Sequence, residues 1–420
     1  MAVAEANRLG LYISIPFCRS KCTYCNFASG VYPASEHEQY VDRLIEDLRG
    51  AGKRAAQMGV DLPRIVDTIY LGGGTPSLLA PALIARLFSA LRVSFEIENG
   101  AEITVECAPG QIADDTLHAL VDAGVNRVSL GVQSFVDREA QVSGRLHNRA
   151  AVLADLRRLR AAGISNLNLD LIAGLAGQTI ASWQESLGVL EDCDVPHASV
   201  YMLEVDEESR LGREMLAGGA RYYAELVPTD DAIARMYEMA IDALAEVGLQ
   251  QYEISNFARP GFKSRQNLRY WQRLRYLGVG LDASSALRAV RIPDDAAVAG
   301  EPGYVLRSTT TDDLKGYLAG DDSAETAWLS PERQHEEAWF LGLRLNDGVN
   351  VASLRREFGE KPVSHALDTV ARLAEDGLVT FDGETVRLTS RGRLLSNDVF
   401  QEFLGVADED SAVKETATRP

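Results

Sequence analysis

The first half of the chain alternates short apolar or β-branched runs with longer segments whose apolar positions recur at helical spacing. The runs fall at residues 11–15, 66–71, 102–106, 127–132, 166–172 and 198–203, and the helical patterns at 36–58, 81–92, 114–123, 149–162 and 180–192. Strands separated by crossover helices form a parallel sheet. Six of them predict an α/β fold built on an incomplete (β/α)6 barrel, short of the eight strands of a closed one. In such a fold the working groups gather where loops leave the C-terminal ends of the strands.

The second half reads differently. A helical pattern at 231–247 ends at Gly248 and leads into an extended block from Tyr252. A polar, Pro- and Gly-containing stretch at 292–303 and an acidic run at 321–325 mark a boundary. Helical patterns at 332–344, 351–358 and 362–376 precede two alternating runs around Asp382-Gly383, a hairpin signal. The expected organisation is a barrel over 1–225, an extension packing on it over 226–325, a small winged-helix-like α+β domain over 326–405, and a charged, disordered tail over 406–420.

Composition narrows the partners. Net charge is 42 − 61 = −19, and a sequence-independent grip on nucleic acid needs a basic surface, so nucleic acid is not an expected partner. No run of 18 apolar residues crosses a membrane. Five cysteines and no secretory signal place the expected protein in the cytoplasm with reduced thiols. Three of those thiols carry the candidate chemistry. Cys18, Cys22 and Cys25 follow the first strand with the spacing C-x3-C-x2-C. Thiolates so offset wrap one face of an iron–sulfur cubane and bind three of its four irons, leaving the fourth open to a small chelator. A structural zinc site is the alternative. It wants four closed ligands, and the nearest histidine, His37, stands twelve residues past Cys25. Cys107 and Cys193 are isolated and read as small buried residues.

Polar residues stand at the strand ends. Gly72-Gly73-Gly74-Thr75-Pro76 follows the second strand, where glycines allow close backbone approach to a ligand and leave amides free. Thr75 and Pro76 also suit an ordinary helix start. Glu106 ends the third strand, Gln133 follows the fourth, and Asp170 interrupts the apolar fifth. Two carboxylates and an amide at equivalent strand ends form a binding wall for a polar ligand. Arg145 is the cation expected to face them, or to take a ligand carboxylate.

These blocks, with Ile15-Pro-Phe-Cys18 through Phe27, Gly131-Val-Gln-Ser-Phe135, Asp170-Leu-Ile-Ala-Gly174 and Gln178, Tyr252 through Gly261, and Asn267-Leu-Arg-Tyr-Trp271, resemble the radical S-adenosylmethionine (SAM) family of oxygen-independent coproporphyrinogen III oxidase. The resemblance runs from about residue 11 to 404. It implies a [4Fe-4S] cluster on Cys18, Cys22 and Cys25, with SAM chelating the open iron in a pocket lined by Tyr12, Tyr24, Gly73, Gly74, Thr75, Glu106, Gln133, Arg145 and Asp170. Phe17 and Phe27 would keep water and oxygen from the cluster.

The porphyrinogen-oxidising branch of that family carries a fourth cysteine where Phe27 stands, and an N-terminal extension that this chain lacks. On both counts the chain resembles the haem chaperone branch, which implies binding of haem, its transfer to an acceptor protein, and a reductant such as ferredoxin or flavodoxin. A radical enzyme, oxidising coproporphyrinogen III or modifying another substrate, is the alternative. Two family histidines are replaced here, by Gln266 and Ser284, which leaves Tyr270, His147 or a cysteine as the candidate haem ligand. Tyr270 and Trp271 could stack on the macrocycle.

Overall fold

The computed structural model describes residues 7–290, 303–321 and 324–405. Nearly all of the stretch at 292–303, two residues of the acidic run at 321–325 and the tail from 406 lie outside the described residues. Two compact units divide the chain, residues 1–329 and 330–420.

In the first unit β1 (Arg8–Ile15), β2 (Ile65–Gly73), β3 (Glu96–Cys107), β4 (Arg127–Gln133), β5 (Asn166–Ala173) and β6 (His197–Met202) pair in parallel and in chain order. The crossovers are α1 (Ala34–Met58), α2 (Pro81–Ser94), α3 (Asp114–Asp122), the pair α4 (Asp137–Val142) and α5 (Arg149–Ala161), and α6 (Ile180–Asp192). After β6 come α7 (Arg210–Leu216) and α8 (Asp230–Glu246). Five of the six anticipated runs lie within these strands, and the sixth, at 198–203, overruns the end of β6 by one residue.

The sheet does not stop at six. β7 (Gln250–Gln251) and β8 (Asn256–Ala258) extend it antiparallel beyond β6. On the other flank β9 (Tyr276–Val279) lies parallel to β1, followed by antiparallel β10 (Ser284–Arg288), β11 (Val305–Thr310) and β12 (Ala324–Leu329). The twelve strands form one open sheet with edges at β12 and β7, so β7 to β12 continue the same sheet as the first six strands.

Strand residues alternate strictly. Leu9, Leu11, Ile13 and Ile15 on β1, Val128 and Leu130 on β4, and Leu167, Leu169 and Leu171 on β5 are buried on the helix-covered side. Tyr12, Thr68, Tyr70, Thr104, Glu106, Arg127, Ser129, Asn168, Asp170, His197 and Ser199 share the opposite, inner face. A parallel sheet buried on both sides usually reads as continuous apolar runs; here one face is polar. On a flat sheet, strands four apart would be separated by about 19 Å. Tyr201 at the end of β6 nevertheless acts electrostatically on the Tyr70 hydroxyl of β2, so the sheet curls around this polar face.

Helix α9 (Arg265–Trp271) closes the curl at the N-terminal ends of the strands. Ser264 caps it by accepting from the Asn267 amide, and the Glu102 carboxylate accepts from the Arg265 and Gln266 amides at 3.1 and 3.2 Å, where negative charge suits a helix start. Arg269 forms a buried ion pair with Asp67 and donates to Thr68 Oγ1 at 3.2 Å. Gln266 Oε1 accepts from the Thr68 hydroxyl at 2.6 Å, and its Nε2 donates to the Tyr270 oxygen at 2.8 Å. Gly10 makes room: a Cβ there would stand 2.3 Å from Arg269 Cδ.

The second unit has helices Pro331–Leu343, Val351–Phe358 and Glu360–Glu375, and a three-stranded sheet of β13 (Val349–Asn350), β15 (Thr385–Leu388) and β14 (Val379–Phe381), in that order. The Asp382-Gly383 turn joins β14 to β15, with Gly383 at φ 92° and Asp382 Oδ1 accepting from the Glu384 and Thr385 amides. Trp339 anchors its core, stacked on Phe403 at 5.1 Å with Nε1 donating to His335.

The floor helix gives a stability test. Arg269→Met strands the Asp67 carboxylate in the interior and is expected to cost on the order of 3–5 kcal/mol in urea unfolding. Arg265→Ala, which removes the more exposed partner of the same carboxylate, is expected to cost under about 1 kcal/mol.

Candidate functional site

The cysteine loop is clamped on several sides. The Cys18 amide donates to Gly30 O at 2.8 Å and the Gly30 amide to Pro16 O at 2.9 Å, closing the loop on itself. The Thr23 amide donates to Ser143 O, and the Leu211 amide at the start of α7 donates to Thr23 O. From the end of β2 the Gly74 amide donates to Ile15 O at 2.9 Å and the Thr75 amide to Phe17 O at 2.7 Å. A Cβ on Gly74 would stand 2.8 Å from each of those two oxygens, so only glycine fits. The expectation that the glycine run leaves its amides free is therefore corrected at Gly74 and Thr75, whose amides hold the cysteine loop. Gly73 adopts φ 96°, and a Cβ there would stand 2.9 Å from Ser14 Oγ.

Each sulfur has a polar neighbour. The Thr75 hydroxyl donates to Cys18 Sγ at 3.9 Å, Arg145 Nη1 donates to Cys22 Sγ at 3.5 Å, and the Ser29 hydroxyl stands 4.0 Å from Cys25 Sγ. Burial pushes the Cys18 and Cys25 thiols up; Cys18 also feels both other sulfurs of the loop, and Cys25 feels that of Cys22. Among the described residues no three Cys, His, Asp or Glu side chains converge on a single ion. His37 stacks on Phe17 at 3.8 Å between ring centres, and burial lowers its pKa. Phe17 is fully buried, whereas Phe27 is 46% exposed, so only the first of the expected pair can exclude water.

The strand-end carboxylates lie in the polar interior. Glu106 Oε1 accepts from the Tyr70 hydroxyl at 2.8 Å, and burial pushes its carboxyl up to about 7. Tyr12 stacks on Tyr70 at 6.1 Å, its hydroxyl held well above the usual range by burial and by Glu106. Asp170 accepts from Ser129 Oγ at 2.9 Å and from Asn168 Nδ2 at 2.7 Å, and burial raises its pKa. Gln133 ends β4 at φ 68°, an uncommon conformation for a residue with a side chain, and its buried Oε1 has no hydrogen-bond partner. Tyr24 lies half-buried beside Cys22 and Arg145, and desolvation raises its pKa.

Arg145 departs from expectation. Its guanidinium donates to Gly131 O and Cys22 Sγ, and makes no ion pair with Glu106 or Asp170. Burial works against its charge, but Tyr24 and Cys22 outweigh that and raise its pKa. It follows the turn after α4, directly above the cysteine loop. The cation whose field reaches Glu106 and Asp170 is Arg127, at the start of β4. No motif marks it; the usable signal was a charged residue on the inward side of an alternating strand.

The side chains suggested as haem ligands are engaged within the fold. Tyr270 belongs to the floor helix, where its oxygen accepts from Gln266, and buried Trp271 meets it edge-on at 71°. Ser284 shares a hydrogen bond with Thr309 Oγ1 on β11. His147 is buried with Nε2 on Val132 O at 3.1 Å, and burial lowers its pKa to about 4. Cys107 and Cys193 are buried, which raises their thiols to about 12 and 11.

Comparison with known proteins identifies the family. A profile of the radical SAM superfamily matches residues 12–190, and one of the HemN C-terminal domain matches residues 329–395. The heme chaperone HemW of Escherichia coli is 34% identical over 94% of this chain and 98% of that protein. The protein of the same name from Lactococcus lactis is 32% identical over 94% and 96%. The solved structure of E. coli coproporphyrinogen III oxidase (HemN), described as a radical SAM enzyme, superposes with a TM-score of 0.77 at 24% identity, covering 96% of this chain and 92% of that one. The chain belongs to the radical SAM superfamily, in the HemW branch of the oxygen-independent coproporphyrinogen III oxidase family.

Proposed function

We propose that the protein is a haem chaperone that binds a [4Fe-4S] cluster, SAM and haem, and passes haem to an acceptor protein. The observation that carries this reading is the likeness to proteins named heme chaperone HemW along nearly the whole chain. Phe27, standing where the oxidising branch carries a further cysteine, agrees with it. The reading places the protein in the cytoplasm, with a ferredoxin- or flavodoxin-like reductant.

The donor set fits the cofactors. Three clustered thiols with Thr75, Ser29 and Arg145 aimed at their sulfurs suit cluster thiolates, whose charge such donors stabilise. When bound, the cluster supplies a one-electron reductant and an open iron for the amino acid end of SAM. Glu106 and Asp170 would accept hydrogen bonds from SAM, and the unpaired Gln133 amide oxygen would take another. Arg145 would hold the Cys22 thiolate while Tyr24 covers it. Val31, Leu146, Met215 and Leu216 are exposed apolar groups on the segments that touch the cysteine loop, the surface a flat apolar ligand requires.

The second reading, a radical enzyme acting on a porphyrinogen or another substrate, is favoured by Gln266 and Ser284. Both side chains are engaged within the fold and neither offers a haem ligand. Formation of 5′-deoxyadenosine that depends on a tetrapyrrole substrate tests it.

Anaerobic reconstitution is expected to load about four irons per chain, with the charge-transfer absorbance lost in Cys18→Ser, Cys22→Ser and Cys25→Ser. Haem titration of the cluster-loaded protein is expected to shift the Soret band and saturate at about one haem per chain; no saturable binding would sink the chaperone reading. Glu106 gives a pH test. Its folded pKa, about 7, lies above the ordinary 4.5, so its charge increasingly destabilises the fold as pH rises from 4.5 through 7. Glu106→Gln should therefore stabilise the cofactor-free protein at pH 8, by on the order of 3 kcal/mol at most, and not at pH 4. The same substitution should weaken SAM binding at pH 8.

A further inference from the structure

Arg127 opens β4 on the inner face of the sheet and is only 2% exposed. Its Nε is buried without a partner, and its guanidinium forms no ion pair with any carboxylate among the described residues. Directly across from it in the sheet are Thr104 on β3 and Asn166 on β5. The Thr104 hydroxyl and the Asn166 Oδ1 are also buried without partners. Three neighbouring strands thus bring three unsatisfied polar groups into one row, which Tyr70 and Tyr12 continue on β2 and β1. A buried guanidinium with an unmet donor and no ion pair is costly unless an anion meets it.

The surroundings choose the anion. The field of Arg127 reaches Tyr70, Glu106, Asp170, His197 and Tyr252, so the guanidinium sits centrally within the curl. Glu106 and Asp170 penalise a second negative charge, which disfavours phosphate and sulfate. A planar fork of donors beside a hydroxyl matches a monoanionic carboxylate in bidentate contact. Turning the Asn166 amide supplies another donor. We propose that Arg127, with Thr104 and Asn166, forms a carboxylate-binding site in the interior, below the Glu106–Asp170 layer and separate from the cysteine loop. The carboxylate comes from a small free acid or from a propionate arm of a tetrapyrrole.

The test is saturation-transfer NMR of sodium propionate with the full chain, cluster-free and cluster-loaded. Saturable binding is expected in the wild type, about tenfold or more weaker in Arg127→Gln, the loss of a charged hydrogen-bonding partner. Thr104→Val keeps the charge and should weaken binding several-fold, which decides the matter if Arg127→Gln does not fold. Absence of saturable binding in the wild type, or unchanged affinity in either variant, overturns the site. Haem and its dimethyl ester identify the source. A wild-type preference for haem that disappears in Arg127→Gln assigns the site to a propionate arm. Equal binding of haem and diester, with propionate still bound, assigns it to a free acid. A protein that binds propionate but neither tetrapyrrole keeps this site and loses the chaperone reading.

Discussion

A buried polar face has to be satisfied from within, and that constraint organises this molecule. The inner side of the parallel sheet carries tyrosines, carboxylates, amides and a histidine where most parallel sheets carry aliphatic side chains. The protein answers with a continuous network. The Ser264 amide donates to the Tyr252 oxygen, which meets His197 Nε2 at 3.0 Å, and His197 Nδ1 meets Asn168 Oδ1 at 2.6 Å. Asn168 in turn donates to Asp170 and to Ser129. His197 is fully buried, and burial and then Arg127 push its pKa far down, so it stays neutral and joins two neutral partners. Such a network gives a carboxylate a fixed direction at the end of a strand, which an apolar core could not do.

The cysteine loop depends on a second kind of contact, backbone against backbone. Gly74 lies so close to residues 15–17 that the end of β2 and the start of the loop behave as one piece. Through Thr75 the same turn reaches a sulfur, and through Arg145 the far side of the sheet reaches another. Donors to thiolate sulfur favour the more negative, reduced state of a cluster and so raise its potential. In this arrangement the residues that shape the loop are also those that would tune a cluster held on it.

The periodicity made the six long parallel strands and their crossovers readable, because each strand has at least five inward–outward alternations or an apolar run bounded by glycine. β7, β8 and β9 span two to four residues, too short for any period, and β9 is further broken by Gly278. The cysteine spacing and the strand-end carboxylates were legible as local patterns. What each partner would be was not. Arg145 lies between the wall residues Gln133 and Asp170 in sequence but turns to the loop, while the field of Arg127 reaches the carboxylates from a strand start that looked unremarkable. Gln266 looked like a lost metal ligand because sequence cannot show that Thr68 and Tyr270 take up its amide.

The place of β1 has a consequence for the order of assembly. This strand leads straight into the cysteine loop, yet its two neighbours are β2 and, from more than 250 residues further along, β9. Until the chain has been synthesised past Val279, β1 is an unprotected sheet edge, and until Leu211 is in place the Thr23 carbonyl has no donor from α7. A nascent chain therefore holds its three thiols on an unfinished scaffold. The scaffold under the loop is complete only once β9, the ninth of the twelve strands, has paired with β1.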